Sequence, residues 1–191
     1  MVTSTAILGI VVSVLLNPVT GPVNAGLVDW GIAEEPVDLL GSPDLALWIV
    51  IVVAIWQGLG VGLVVISAGL QSIEPELYEA AEMDGATGMR RHWHITTPLM
   101  RPVLATVFLL SMLGAVAVFD LVFTLTNGGP AFASDVMGTY VFRNAFGQGV
   151  GSSPKLGYAA AAGLLMSLMI LALTALYLGI RRASARRKGE A

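Results

Sequence analysis

Cysteine is absent from this 191-residue chain, so neither a disulfide framework nor a thiolate metal site can be built from it. Histidine occurs only at His92 and His94, short of the roughly three or four ligands a metal centre recruits, and no metal site is expected. Lysine is nearly missing as well: Lys155 follows Pro154 and Lys188 follows Arg187, so no G-x-x-x-x-G-K-[ST] phosphate loop is present. No Lys or Arg precedes Arg90, which argues against a secretory signal with its positive n-region. Charged residues make up 12% of the chain, about half the share usual in soluble domains, while 55% of residues are hydrophobic. Together these absences point to a membrane protein.

The charges that remain are clustered. None falls within residues 1–28, 45–73, 102–119 or 156–180. At a rise of about 1.5 Å per residue, roughly 20 apolar residues cross a hydrocarbon core of about 30 Å. Spans are therefore expected at about residues 1–16, 45–70, 102–125 and 158–180. The first stops at Asn17-Pro18; it would rise only about 24 Å, so it reads as a clipped helix.

Lys and Arg in short loops set the orientation of membrane helices. Arg90, Arg91 and Arg101 lie between the second and third spans, and Arg181, Arg182, Arg186, Arg187 and Lys188 follow the fourth. These mark the cytoplasmic side. The loop after the first span carries Asp29, Glu34, Glu35, Asp38 and Asp44 and no basic residue, and the loop before the fourth carries only Arg143 and Lys155. Both termini and the 74–98 loop are thus expected inside, with residues 182–191 a basic tail that anchors orientation rather than binding nucleic acid. Short outer helices are expected at residues 23–30 and 136–146, the second carrying Tyr140, Phe142 and Phe146 as interfacial anchors. Gly58, Gly60, Gly62 and Gly69 suit close packing of the second span within a bundle. Gln57, near mid-depth, either lines a path or bonds across to a neighbour. Asp120, in the outer part of the third span, faces the bundle interior, water or the headgroup boundary.

The segment with the most to say is EAAEMDGATGMRRHWHITTP, residues 79–98. Glu74-Pro75-Glu76 is a good helix start, with Pro at the first position and acids at the positive end of the dipole. A helix to about Asp84 places Leu77, Ala80, Ala81 and Asp84 on one face. Gly85 is suited to end it in the left-handed conformation, a second short helix follows, and Pro98 is expected to close that one. Such a bent pair, gripped in a groove of another protein, would tilt the spans attached to it. Amphipathic helices resting on the membrane surface are the alternative that physics leaves open.

Glu79-Ala80-Ala81, Gly85 four residues later, then Ile95 and Pro98 resemble the EAA loop of binding-protein-dependent ABC importer permeases. Tyr78 and Asp84-Gly85-Ala86 fit the sugar-importing members. Ala68-Gly-Leu-Gln71, Phe119-Asp120, Leu125-Thr-Asn-Gly-Gly-Pro130, the stretch 140–146 and Gly21-Pro-Val-Asn24 resemble the larger permease subunit of maltose-type carbohydrate importers, so nearly the whole chain is covered. Thr97 replaces the usual Leu before Pro98, and His92 stands where an aromatic is usual, with Trp93 beside it. The resemblance begins partway through the third helix of a six-helix permease, so an N-terminally truncated chain is expected.

What the resemblance implies is an all-α, polytopic membrane helix bundle of the type I ABC importer permease kind, with about four transmembrane helices in residues 1–181. Its function would be carbohydrate import across a bacterial or archaeal cytoplasmic membrane. Glu79, Ala80, Ala81, Asp84, Gly85, Ile95 and Pro98 would couple it to a separate ATPase. The chain would have no catalytic residue and bind no cofactor, with ATP and Mg held by the partner. Partners would be a second permease subunit, two ATP-binding subunits, an extracytoplasmic solute-binding protein meeting the outer loops around Gly129, the lipid bilayer and the sugar. Phe119, Asp120 and Gln57 are candidates for the substrate path. An ion-coupled secondary carrier is the rival, disfavoured because no Asp, Glu, Lys or Arg lies near the middle of a span. A non-transporting scaffold is another.

Overall fold

A computed structural model describes residues 4–86, 88–147 and 153–189, and all regular structure among them is helical. The elements are α1 (Thr5–Leu15), α2 (Pro22–Asp29), α3 (Pro43–Gln71), α4 (Pro75–Met83), α5 (Gly88–Arg91), a π turn (His92–Thr96), α6 (Thr97–Val116), α7 (Asp120–Leu125), α8 (Met137–Phe146) and α9 (Leu156–Gly189). Among the described residues three stretches are long and apolar enough to cross a membrane: Pro43–Gln71, Gly88–Val116 and Leu156–Arg181. They leave apolar side chains uncovered, with Trp48 and Trp56 each 64% exposed and Phe108 65%. Surface of that kind belongs against lipid or another subunit.

Several boundaries differ from expectation. The first apolar run forms an α-helix of 11 residues, only about 16 Å long. The run 102–125 is not one helix, because α6 ends at Val116 and a separate α7 starts at Asp120. The break falls just before the run's one charged residue, Asp120, which opens α7 where a carboxylate meets the positive end of the helix. Packing supports it: α7 turns Leu121, Val122 and Leu125 into a buried cluster, and that burial favours the break over one continuous helix. Pro98 closes no helix; it stands in the first turn of α6, and the proline inside that helix is Pro102. The fourth helix continues beyond residue 180 into the basic tail, to Gly189.

The described chain divides into two compact units, Met1–Gln57 with Ala115–Ile170 and Gly58–Gly114 with Leu171–Ala191. In the first, Val50, Leu121, Val122 and Leu125 form the core, joined by Leu8 and Val12 of α1 and by Leu40, Val53, Ala54, Val118 and Val136. Gly9 lets α1 lie directly on α7, since a Cβ there would overlap the Thr124 side chain. The end of α1, α2 and the segment before α3 are stapled by Asn24, which is 2% exposed. Its Nδ2 donates to Leu16 O at 3.2 Å and Asn17 O at 3.4 Å, and its Oδ1 accepts from the Val37 N–H at 2.9 Å.

In the second unit, α3 and α6 approach closely at Gly69, where a Cβ would stand 2.8 Å from Val103 Cγ1. The Tyr177 hydroxyl of α9 and Thr106 Oγ1 of α6 are 2.9 Å apart.

Replacing Asn24 by Leu strands two carbonyls and one buried N–H. A loss of about 1–3 kcal/mol is expected, read as a lower thermal unfolding midpoint of the detergent-purified protein; an unchanged midpoint would show that the staple is dispensable.

Candidate functional site

The loop between α3 and α6 is built from a sequence of local stops. Ser72 ends α3: its N–H reaches Ala68 O at 3.1 Å and its hydroxyl Gly69 O at 2.7 Å. Glu74 is extended, and Pro75 opens α4 with Glu76 in the first turn, where a carboxylate meets the positive end of the helix. At the other end, Gly85 has φ +73°, its N–H donates to Glu82 O at 3.0 Å, and the Ala86 N–H donates to Ala81 O at 2.8 Å. This double closure is a Schellman cap, which the sequence anticipates from Gly85.

Pro98 and Pro102 then remove two N–H donors, four residues apart, from the same helix. The wider π turn His92–Thr96 lies immediately before them. Pro98 falls in the first turn of α6, where a missing N–H is tolerated, and the π turn before it carries the helix on from Arg91 without a stop.

The two limbs are joined by side chains. Arg91 Nη1 donates to Glu82 Oε1, and its guanidinium carbon lies 5.3 Å from the centre of the Tyr78 ring. The Tyr78 hydroxyl is 3.3 Å from Thr96 Oγ1. Ala81 and Thr96 are buried and Ile95 is half-buried. Leu77, Glu79, Ala80, Met83 and Asp84 are exposed. The expectation that Ala80 and Ala81 share one outward face is therefore corrected. Successive helical residues are about 100° apart, and only Ala80 looks outward with Leu77 and Asp84, while Ala81 packs within the chain. Of the histidines, His94 Nδ1 is 3.0 Å from Arg90 O, and His92 meets Trp93 edge-on. The Glu82–Arg91 pair went unread because residues nine apart share no helical face across a glycine turn.

Glu79, Ala80, Ala81, Asp84, Gly85, Ile95 and Pro98 thus belong to one folded turn. The substrate-path candidates lie elsewhere, in the other unit. Phe119 precedes α7, its ring 5.3 Å from those of both Phe123 and Phe142, and Phe142 in turn packs on Phe146 at 4.7 Å. Phe142 and Phe146 are thus partners of this ring cluster, in addition to sitting on the expected outer helix. Asp120 is exposed in the first turn of α7. Gln57 donates through Nε2 to Thr5 Oγ1 at 2.8 Å, the cross-helix bond that was one of its two readings. The turn before α8 is tethered in a way no sequence pattern announces: Asp135 accepts from Arg143 at 2.6 Å and from the Thr139 hydroxyl, and the buried Ser134 hydroxyl donates to Gly129 O.

A family profile described as the binding-protein-dependent transport system inner membrane component matches residues 1–189. An ABC transporter permease protein of Caldicellulosiruptor sp. is 38% identical over 129 residues, covering 68% of this chain and 89% of its own. A trehalose/maltose transport system permease protein of Thermococcus litoralis is 33% identical over 162 residues, covering 82% of this chain; this chain spans 52% of that protein's length. A bacterial alginate ABC transporter, solved in complex with an alginate pentasaccharide-bound periplasmic protein, superposes with a TM-score of 0.80 at 29% identity, over 95% of this chain and 61% of the other.

The cap geometry makes Gly85→Ala costly by about 1–2 kcal/mol, the penalty of a left-handed L-residue. Gly58→Ala, in mid-helix with nothing within 4 Å of the new Cβ, should be neutral or stabilising in comparison. Paired unfolding curves in detergent check the contrast, and equal effects would contradict it.

Proposed function

As the chain belongs to the binding-protein-dependent transport system inner membrane component family, we propose that it is the membrane permease part of an ATP-driven ABC importer of carbohydrate. The observation that carries this reading is the capped, laterally tied turn 75–98. Its outward face holds Leu77, Glu79, Ala80, Met83 and Asp84. A folded turn attached directly to two apolar helices suits a lever worked by a separate ATPase, which binds ATP and Mg; the chain itself hydrolyses nothing. The other partners are a second permease subunit, two ATP-binding subunits and an extracytoplasmic solute-binding protein.

The basic residues Arg90, Arg91, Arg101 and Arg181 support placing this turn and the C-terminus in the cytoplasm, with the acidic segment 29–44 and α8 outside. Carbohydrate as cargo is supported by the relatives, since the Thermococcus protein is described with trehalose and maltose and the solved transporter with alginate. The ring cluster around Phe119, beside the exposed Asp120, is a suitable surface for a sugar on its way in.

Proteoliposomes holding the chain with its second permease, ATPase and binding protein should accumulate at least one of labelled maltose, trehalose or alginate oligosaccharide when ATP is supplied. Glu79→Lys should reduce that uptake at least roughly tenfold, the consequence of losing about 1.4 kcal/mol of coupling, with membrane insertion intact. Uptake that follows a proton or sodium gradient without ATP would instead identify a secondary carrier.

A further inference from the structure

Two glycines carry the backbone from α4 into α5. Gly85 and Gly88 take φ values of +73° and +54°, and a Cβ at either would meet nothing within 4 Å. From Gly88 the chain is one helical stretch to Val116, with the π turn His92–Thr96 inside it. A push on α4 transmitted through such a joint alone would bend the joint before it moved α6.

Side chains bypass it. Arg91 reaches back nine residues to the Glu82 carboxylate and stands over the Tyr78 ring, while Tyr78 meets Thr96 inside the π turn. We infer that Arg91 is a positioning residue that, through Glu82 and Tyr78, makes α4 and the first turns of the stretch Gly88–Val116 move as one body, so that displacement of α4 reaches that membrane helix. The inference rests on the coupling role proposed above. Arg is suited to this use because its planar fork can bond a carboxylate while its face lies on an aromatic ring; Lys provides the charge without that geometry. A charge that served only to orient the helices would be replaced fully by Lys, which separates the two roles.

The natural absence of cysteine allows spin labels at Glu76→Cys and Leu104→Cys, one on each limb. Electron-electron distance measurements are made on the chain assembled with its second permease and ATPase, with and without Mg-ATP plus vanadate. One narrow distance, unmoved by nucleotide, is expected with Arg91 in place. Arg91→Ala should broaden it and make it shift with nucleotide while ATPase retention is unchanged. Arg91→Lys should recover it only in part, and the exchange Glu82→Arg with Arg91→Glu should recover more than either single change. A narrow, nucleotide-independent distance in Arg91→Ala, or full recovery by Lys, overturns the inference and leaves the importer reading standing. Failure of the unsubstituted chain to retain any ATPase defeats the importer reading, and the width measured without nucleotide still judges the tie.

Discussion

A backbone running through apolar surroundings must satisfy its own N–H and C=O groups, and a continuous helix is the simplest way to do so. In this chain that constraint produces α3, the stretch from Gly88 to Val116, and α9. The informative places are those where it is relaxed. At 84–88 the ladder is interrupted by a Schellman cap and two left-handed glycines; at 92–96 it widens into a π turn; at 117–119 it stops so that α7 can bury Leu121 and Val122. The segment between α7 and α8 is likewise closed by side chains, through Thr126 with Ser134 and through Asp135 with Thr139 and Arg143.

The compensations differ in kind between the two units. Around α7 they are buried and apolar, with Asn24 as a fully satisfied polar staple, which makes for a fixed platform. In the 75–98 turn they are polar and partly exposed, the Arg91 and Glu82 side chains being 37% and 56% accessible. An isolated pair so exposed contributes little to stability, on the order of 1 kcal/mol or less. Its worth lies in direction: together with the Tyr78 contacts it selects one arrangement of two limbs that the glycines alone would leave free. That is what a transmitting element needs and what a mere connector does not.

Much of this was legible in the residues. Charge-free runs marked α3 and α9, and Pro75 and Gly85 marked the ends of α4. What was hidden depends on tertiary structure. The split between α6 and α7 is marked only on its far side, where Asp120 opens α7; Ala117, Val118 and Phe119 are as apolar as the residues before them. Pro98 looked like a terminator because the π turn that accommodates it has no sequence signature of its own. Ala80 and Ala81 looked equivalent because small residues carry no directional signal, and only packing on the second limb sends Ala81 inward.

The division between Ala80 and Ala81 gives the most direct test of the coupling account. Single cysteines placed at Ala80 or at Ala81 in the otherwise cysteine-free chain can be treated with a short thiol-reactive photo-crosslinker in membranes containing the ATPase. The account predicts capture of the ATPase from position 80, which is exposed, and none from position 81, which is 6% exposed. Capture from neither position, or equally from both, would contradict it.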